Sequence, residues 1–125
     1  MSKPDLLIAV VDDESHVRTM LARVLALANY RAFGYASGEE FLASLGVQLP
    51  ACAIVDMQMP GLSGFEVHAH MRAANVHVPV VFITGSDDMT LDASMRDTGE
   101  QLLRKPFSTD ALLDAIDRAT ARRVA

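Results

Sequence analysis

Acidic side chains stand at the ends of two short apolar runs in this sequence. Asp12 and Asp13 directly follow the run that ends at Val11, and Asp56 closes the run that begins at Ala51. A carboxylate at the tip of a buried segment is costly to hold unless its charge is compensated. Carboxylates that lie close together repel one another, which raises their proton affinity unless a cation binds. If the fold brings them together, these side chains predict a cation site.

The expected cation is magnesium. Mg²⁺ typically binds one or two carboxylates, keeps several waters and accepts phosphate oxygens as further ligands. No histidine or cysteine stands at these run ends, which makes zinc a poor candidate. Mn²⁺ is the expected substitute for Mg²⁺.

A carboxylate can also attack phosphorus, which would make Asp56 a nucleophile that forms an aspartyl phosphate. Two further polar residues follow apolar runs: Thr84 ends the fourth run and Lys105 follows the fifth. The metal ion and the lysine would neutralise charge on the transferring phosphoryl group, and the threonine hydroxyl would donate to one of its oxygens. The residue types therefore predict phosphoryl transfer to Asp56.

Strand and helix patterns alternate along the chain. The predicted strands cover residues 6–11, 30–36, 51–56, 78–84 and 101–103. This alternation predicts an α/β fold, a doubly wound five-stranded parallel sheet of order 2-1-3-4-5 with five helices, in the manner of a flavodoxin-like three-layer sandwich. Strands one and three flank the reversal of strand order, which is where ligands bind in such sheets. The second strand carries no candidate residue at its end, as expected for an edge strand.

Local signals place the helix ends. Ser37 with Glu40, and Ser63 with Glu66, have the spacing of a capping box, and Asn29 predicts the end of the first helix. Ser108 or Thr109 is predicted to cap the last helix. The first helix should bury one apolar stripe, made of Val17, Met20, Leu21, Val24, Leu25 and Ala28. The helix predicted after Asp88 has the weakest pattern, since its only large apolar residues are Met89, Leu91 and Met95.

Length and composition predict one globular domain, residues 1–125, with its core at about 5–122. Of the 125 residues 50% are apolar and 22% are charged, which argues against disorder. A net charge of −5 disfavours direct binding of nucleic acid by this domain. No apolar run approaches the roughly 20 residues that span a bilayer, and a single cysteine fits a reducing compartment, so we expect a soluble cytoplasmic domain without membrane contact.

These features together resemble the receiver domain of bacterial two-component response regulators, from about Asp5 to the last helix. The order and spacing of the matching pieces are highly specific, more than any single piece. The pieces are Val11-Asp12-Asp13-Glu14, Ile54-Val55-Asp56-Met57-Gln58-Met59-Pro60-Gly61-Leu62-Ser63-Gly64, Ile83-Thr84-Gly85 and Lys105-Pro106-Phe107. The loop after Asp56 most resembles regulators whose output is a DNA-binding domain. The family resemblance implies output by protein contact or by control of an attached effector, such as a transcriptional one.

The resemblance implies that Asp56 is the phosphoacceptor in a phosphorelay. Its donor would be the phosphohistidine of a sensor histidine kinase or a phosphotransfer protein, and the domain would catalyse its own phosphorylation and slow dephosphorylation without being a turnover enzyme. Asp13 would be the main direct Mg²⁺ ligand, together with Asp56 and the main-chain carbonyl of Gln58. Asp12 would bind the ion directly or through water.

Further roles follow from the same resemblance. Thr84 would be the switch hydroxyl and Lys105 the cation that pairs with phosphate. The Lys105-Pro106 peptide bond is expected to be cis. Gln58 and Ser86, each two residues beyond a site residue, would tune the lifetime of the phosphate.

The sequence departs from the family at the surface that usually transmits the signal. The family has an aromatic switch residue three positions before the lysine, where this chain has Leu102. The Gly-Ala pair before the fifth strand is replaced within residues 97–100, and the preceding helix pattern is weak. A homodimer through the fourth helix, fifth strand and fifth helix is therefore open, and we expect phosphorylation without the usual aromatic switch.

Other chemistry-bearing residues are given a structural role. His68 and His70 are two residues apart on a helix and cannot easily share a metal. His16 and His77 are expected to be exposed, with His68 partly packed. Cys52 and the methionines at helical spacing are expected to fill the core.

Two alternatives to the switch function stay open. An aspartyl-nucleophile phosphatase would normally carry a second acid two residues after the nucleophile, where this chain has Gln58. An interaction module that is independent of phosphorylation is the other alternative. A nucleotide-dependent enzyme is disfavoured because neither glycine-rich phosphate-binding motif is present.

Overall fold

Five parallel strands form one sheet in the order β2-β1-β3-β4-β5. The computed structural model describes residues 6–85, 98 and 100–124, with the side chains of 122–124 left out. Its elements are β1 (Leu7–Val11), α1 (Ser15–Leu27), β2 (Arg31–Tyr35), α2 (Gly38–Ser44), β3 (Cys52–Asp56), α3 (Gly64–Ala73), β4 (Val80–Thr84), β5 (Gln101–Arg104) and α4 (Thr109–Val124). The predicted α/β fold and strand order are confirmed.

The helix count differs from the prediction. Four helices lie within the described ranges, where five were predicted. The remaining predicted helix, between β4 and β5, falls on residues outside the described part of the chain. Ser86 also lies outside it.

Burial separates the central strands from the edge. Every residue of β3 and β4 is buried, whereas β2 is exposed or half-buried along its length. Continuous burial is expected where helices cover both faces of a parallel sheet. The edge position predicted for the second strand is confirmed.

Two layers of side chains fill the space between the sheet and the helices. On one face, Ile8, Val10 and Ile54 pack with residues of α1 and α4. On the other face, Val11, Val55 and Phe82 pack with residues of α2 and α3. Alternate strand residues point to opposite faces, so a single apolar run serves both layers.

The apolar stripe of α1 is narrower than predicted. Leu21 and Leu25 are fully buried, but Met20 is 50% exposed, so its assignment to the core is wrong. Met71 in α3 and Cys52 are buried as expected. Met57 and Met59, in the loop after β3, are buried as well. Only one face of α1 contacts the sheet. Leu21 lies on that face, whereas Met20, one residue earlier, points away from the sheet.

Capping explains where several helices begin and end. Ser63 and Glu66 form a complete capping box at the start of α3. At α2 only half of it forms, because the Glu40 carboxylate accepts from the amide of Ala36 and not from that of Ser37. After α1, Asn29 adopts a positive φ of 69°, which turns the chain towards β2.

No helix in the described ranges is long and apolar enough to span a membrane.

Candidate functional site

The predicted carboxylates meet at one edge of the sheet. Val11 pairs with Val55 in adjacent parallel strands, so the residues that follow, Asp12 and Asp56, lie side by side. One carboxylate oxygen from each of Asp12, Asp13 and Asp56 lies within 4.8 Å of the other two. Asp12 and Asp56 are 1% and 3% exposed, while Asp13 is exposed to solvent. The arrangement is a buried pair of acids with a third acid at its mouth.

Neighbouring elements hold the backbone of Asp12. Its amide donates to the carbonyl of Tyr35 at the end of β2 (3.1 Å), and its carbonyl accepts from Arg18 Nη1 in α1 (2.7 Å). The side-chain Oδ1 accepts from the amide of Glu14 at 2.9 Å. The buried Oδ2 has no hydrogen-bond donor within the described ranges. A buried carboxylate oxygen without a donor is unfavourable by itself and fits a bound cation.

The environment of Asp56 raises the pKa of its carboxyl group. Burial raises the pKa of Asp56 from 3.8 to about 6, against the lowering effect of a 3.0 Å hydrogen bond from the amide of Gln58. The negative charge of Asp12 raises this pKa further, and the positive charge of Lys105 lowers it. A cation beside the carboxylates would favour the ionised form in the same way that Lys105 does.

Thr84 and Lys105 stand at the same edge of the sheet. Asp56 is in register with Ile83, which places Thr84 one residue beyond it along the neighbouring strand. Thr84 is fully buried, and its carbonyl accepts from the amide of Lys105 at 2.8 Å. The Lys105-Pro106 peptide bond is cis. The structure thus gathers an acid, a hydroxyl and a cation from three adjacent strands.

The side chain of Gln58 bridges the ends of β3 and β4. Its Nε2 donates to Thr84 Oγ1 at 2.9 Å, and its Oε1 lies 3.2 Å from that oxygen and 3.3 Å from the amide nitrogen of Gly85. Its main-chain amide binds Asp56 Oδ1. The family resemblance implied that Gln58 tunes the lifetime of the phosphate, but it did not predict these contacts to Thr84 and Gly85.

Two other residues that support the site were not predicted. Arg18 secures the loop after β1, and its sequence position within an amphipathic helix carried no signal for this. Gly64 begins α3 against the loop after β3, where a Cβ atom would lie 3.0 Å from the carbonyl oxygen of Asp56. Its place in the glycine-containing loop after Asp56 was the available signal.

The structure also shows the surroundings of Leu102, which stands where the family has an aromatic residue, and the burial of the histidines. Leu102 is half-buried and packs against the core layer between the sheet and α2 and α3. His68 is buried at 8% exposure, and His16, His70 and His77 are exposed. Within the described ranges the acidic triad is the single group of three or more such residues close enough to hold a metal ion.

Comparison with known proteins agrees with this geometry. The sequence profile of the response regulator receiver domain matches residues 8–117. Nodulation protein W of Bradyrhizobium diazoefficiens is 31% identical over 93% of this chain and 52% of its own length. The transcriptional regulatory protein FixJ of Rhizobium meliloti is 30% identical over 97% of this chain and 60% of its own. This chain therefore spans about half to three-fifths of these relatives.

A solved structure shows the same fold along nearly the whole chain. The crystal structure of FixJ-N is 29% identical and superposes with a TM-score of 0.87 over 97% of this chain and 96% of that one. The profile match covers most of the sequence and includes every element from β1 to the middle of α4. The chain therefore belongs to the response regulator receiver domain family, whose general function is that of a phosphoacceptor switch.

Proposed function

We propose that Asp56 is the phosphoacceptor of this domain and receives its phosphoryl group from the phosphohistidine of a sensor histidine kinase or phosphotransfer protein. The observation that carries the proposal is the position of this buried carboxylate, within 4.8 Å of two others and at the same sheet edge as Thr84 and Lys105. The raised pKa of Asp56 fits a reactive group, because burying its charged carboxylate lowers the stability of the fold and so calls for a functional reason.

The transfer step follows from the residues present. A carboxylate oxygen of Asp56 forms a bond to phosphorus as the bond between phosphorus and the histidine nitrogen breaks. The ring nitrogen keeps the electron pair and takes a proton. The Lys105 ammonium and the Thr84 hydroxyl stabilise the negative oxygens of the phosphoryl group. Hydrolysis of the aspartyl phosphate later resets the domain, with Gln58 and Ser86 tuning its lifetime.

Asp12, Asp13 and Asp56 would hold Mg²⁺, or Mn²⁺ in its place, with the main-chain carbonyl of Gln58. When bound, the ion supplies positive charge that offsets the phosphoryl oxygens. The buried Asp12 Oδ2, which has no donor within the described ranges, supports this assignment. An oxygen-only ligand set also suits a hard cation.

We place this domain in the cytoplasm as a signalling unit, without turnover of a small-molecule substrate, membrane contact or direct binding of nucleic acid. Its output would be protein contact or control of an attached effector, and Leu102 implies that the signal passes without an aromatic switch. A homodimer would use the segment after β4 together with β5 and α4. Residues 1–125 would form a single receiver unit.

Intact mass spectrometry tests the proposal. The chain is incubated with Mg²⁺ and acetyl phosphate, and a gain of one phosphoryl group is expected. Asp56→Asn should abolish the adduct, while Asp114→Asn, a matched change at an exposed position in α4, should keep it. Absence of an adduct with any donor or metal would leave the phosphorylation-independent interaction module. Rapid turnover of many phosphomonoesters would indicate a phosphatase.

A further inference from the structure

The side-chain amide of Gln58 contacts two hydrogen-bond donors at the end of β4, the strand next to the one that ends in Asp56. Thr84 Oγ1 lies 3.2 Å and the Gly85 amide nitrogen 3.3 Å from Gln58 Oε1. The Gly85 contact fixes the orientation of the amide, because a backbone N–H needs an acceptor and therefore faces the oxygen. Gln58 Oε1 is therefore placed to accept hydrogen bonds from the Thr84 hydroxyl and the Gly85 amide.

A phosphoryl group on Asp56 would need the same partners. Phosphoryl oxygens only accept hydrogen bonds, so they require donors in reach. Thr84 follows directly after the residue in register with Asp56, and Gly85 follows Thr84. The amide of Gln58 already binds Asp56 Oδ1, so its side chain reaches from the phosphoacceptor to the donors at β4.

The Thr84 hydroxyl has a single hydrogen to donate, and at 3.2 Å it can donate that hydrogen to Gln58 Oε1. The 2.9 Å bond from Gln58 Nε2 to the hydroxyl oxygen holds the amide against Thr84. A phosphoryl oxygen can only accept, so it would need the same hydroxyl hydrogen. Gln58 Oε1 and a phosphoryl oxygen therefore compete for one donor.

We propose that the Gln58 side chain is a latch that occupies the Thr84 hydroxyl and the Gly85 amide in the unphosphorylated domain and must leave before a phosphoryl oxygen can take them. The inference rests on the proposed function, since it concerns a phosphoryl group on Asp56. It differs from the tuning of phosphate lifetime, because the latch opposes formation of the phosphorylated state and not its hydrolysis.

The expected effect is modest. Gln58 is exposed, and hydrogen bonds that compete with water are individually weak. A latch that leaves about a tenth to a third of the molecules open lowers the apparent affinity for a phosphoryl group by about three- to tenfold. Removing the latch should restore that factor.

Beryllofluoride separates this effect from hydrolysis, because it binds an aspartate as a phosphoryl analogue without a bond that water can cleave to release phosphate. At saturating Mg²⁺, Gln58→Met keeps the length of the side chain and removes its hydrogen bonds, and we expect beryllofluoride to bind about three- to tenfold more tightly. Gln48→Met, the same change in the exposed loop after α2, should leave the affinity unchanged. In a Thr84→Val background the gain from Gln58→Met should be smaller, because one of the latched donors is already absent.

NMR supplies a direct readout in the unaltered chain. Cross-peaks between the Gln58 side-chain amide and the Thr84 methyl group should be present in the free domain and lost on addition of beryllofluoride. Equal affinities of Gln58→Met and wild type, or cross-peaks that persist with the analogue bound, would overturn the latch while leaving the phosphoacceptor role intact. Failure of the wild-type domain to bind beryllofluoride would overturn both.

Discussion

His68 in α3 and Glu100, the residue before β5, form a buried pair in which Nε2 and Oε2 are 3.3 Å apart. The two side chains are 10% and 8% exposed, and the imidazole also meets the ring of Phe82 edge-on. α3 begins against the carbonyl of Asp56, and β5 leads directly to Lys105. The pair therefore joins α3, which begins beside Asp56, to the strand that leads to Lys105.

Removing this contact should destabilise the domain. His68→Ala leaves the buried Glu100 carboxylate with one partner fewer and opens space beside Phe82, so we expect a loss of about 2 to 4 kcal/mol in the free energy of unfolding. Urea unfolding monitored by circular dichroism measures it. His16→Ala is the matched control, because His16 is 78% exposed and should change stability by less than about 0.5 kcal/mol. Equal effects of the two changes would show that the His68–Glu100 contact contributes nothing.

Neutralising Asp56 should stabilise the metal-free domain at neutral pH. The pKa of Asp56 is raised to about 6 in the folded state, above its ordinary value of 3.8. Below the lower value the group is protonated in both states, and between the two values folding stability falls as pH rises. Above about 6 the full cost is present, roughly 3 kcal/mol by the size of the shift.

Urea unfolding of wild type and Asp56→Asn in EDTA at pH 4, 5, 6 and 7 measures this difference. The stabilisation of Asp56→Asn over wild type should grow across that range and level off above pH 6. Asp12, Asp13 and Lys105 are unchanged in both proteins, so the comparison reports the burial of the Asp56 charge together with its interactions with these neighbours. A stability difference that does not vary with pH would contradict the raised pKa.

Mg²⁺ should stabilise the wild-type domain, and Asp13→Asn should weaken this effect. The ion would bind the folded state alone, because only folding brings the three carboxylates to within 4.8 Å of one another. We expect Asp13→Asn to reduce Mg²⁺ affinity by at least about tenfold, as measured by thermal shift or calorimetric titration. Asp114→Asn, which changes the net charge equally, should retain wild-type affinity. The same loss in both variants would indicate a diffuse charge effect.

Gly64→Ala should disturb the loop that follows Asp56. The added methyl group would lie 3.0 Å from the Asp56 carbonyl oxygen and 2.9 Å from the sulfur of Met57. Backbone atoms cannot move aside as a flexible side chain can. We therefore expect the free energy of unfolding to fall by about 1 to 3 kcal/mol and the phosphoryl adduct to form more slowly from acetyl phosphate.

Gly46→Ala is the control for this change, because nothing lies within 4 Å of a Cβ atom at Gly46. It should be neutral or slightly stabilising, since alanine restricts the unfolded chain. Both variants are compared by urea unfolding and intact mass. Wild-type behaviour of Gly64→Ala would mean that α3 can shift away from the loop without loss.

Much of the site could be predicted because its residues occupy the ends of apolar runs. Parallel strands bring their carboxyl ends to one edge, so Asp12, Asp56 and Thr84 had to converge once the strands and their order were inferred. The edge position of β2 followed from the same reasoning. These inferences need only local periodicity and the handedness of strand crossovers.

Long-range side-chain contacts could not be predicted in this way. Gln58 and Thr84 are 26 residues apart, and His68 and Glu100 are 32 apart. Nothing in their local sequence indicates that either pair will meet. The exposure of Met20 likewise depends on how far α1 is rotated about its axis, which its packing against the sheet decides and the helical spacing does not.

The apolar runs and the polar residues at their ends were enough to determine the fold class, the edge of the sheet where the candidate site lies and the residue types gathered there. The tertiary structure alone decided that Asp12 is buried while the adjacent Asp13 is exposed. It also decided that the side chain of Gln58 forms hydrogen bonds with Thr84 and Gly85. The reason is physical: periodicity assigns residues to a face or an edge, whereas burial and hydrogen bonding depend on what distant segments place there.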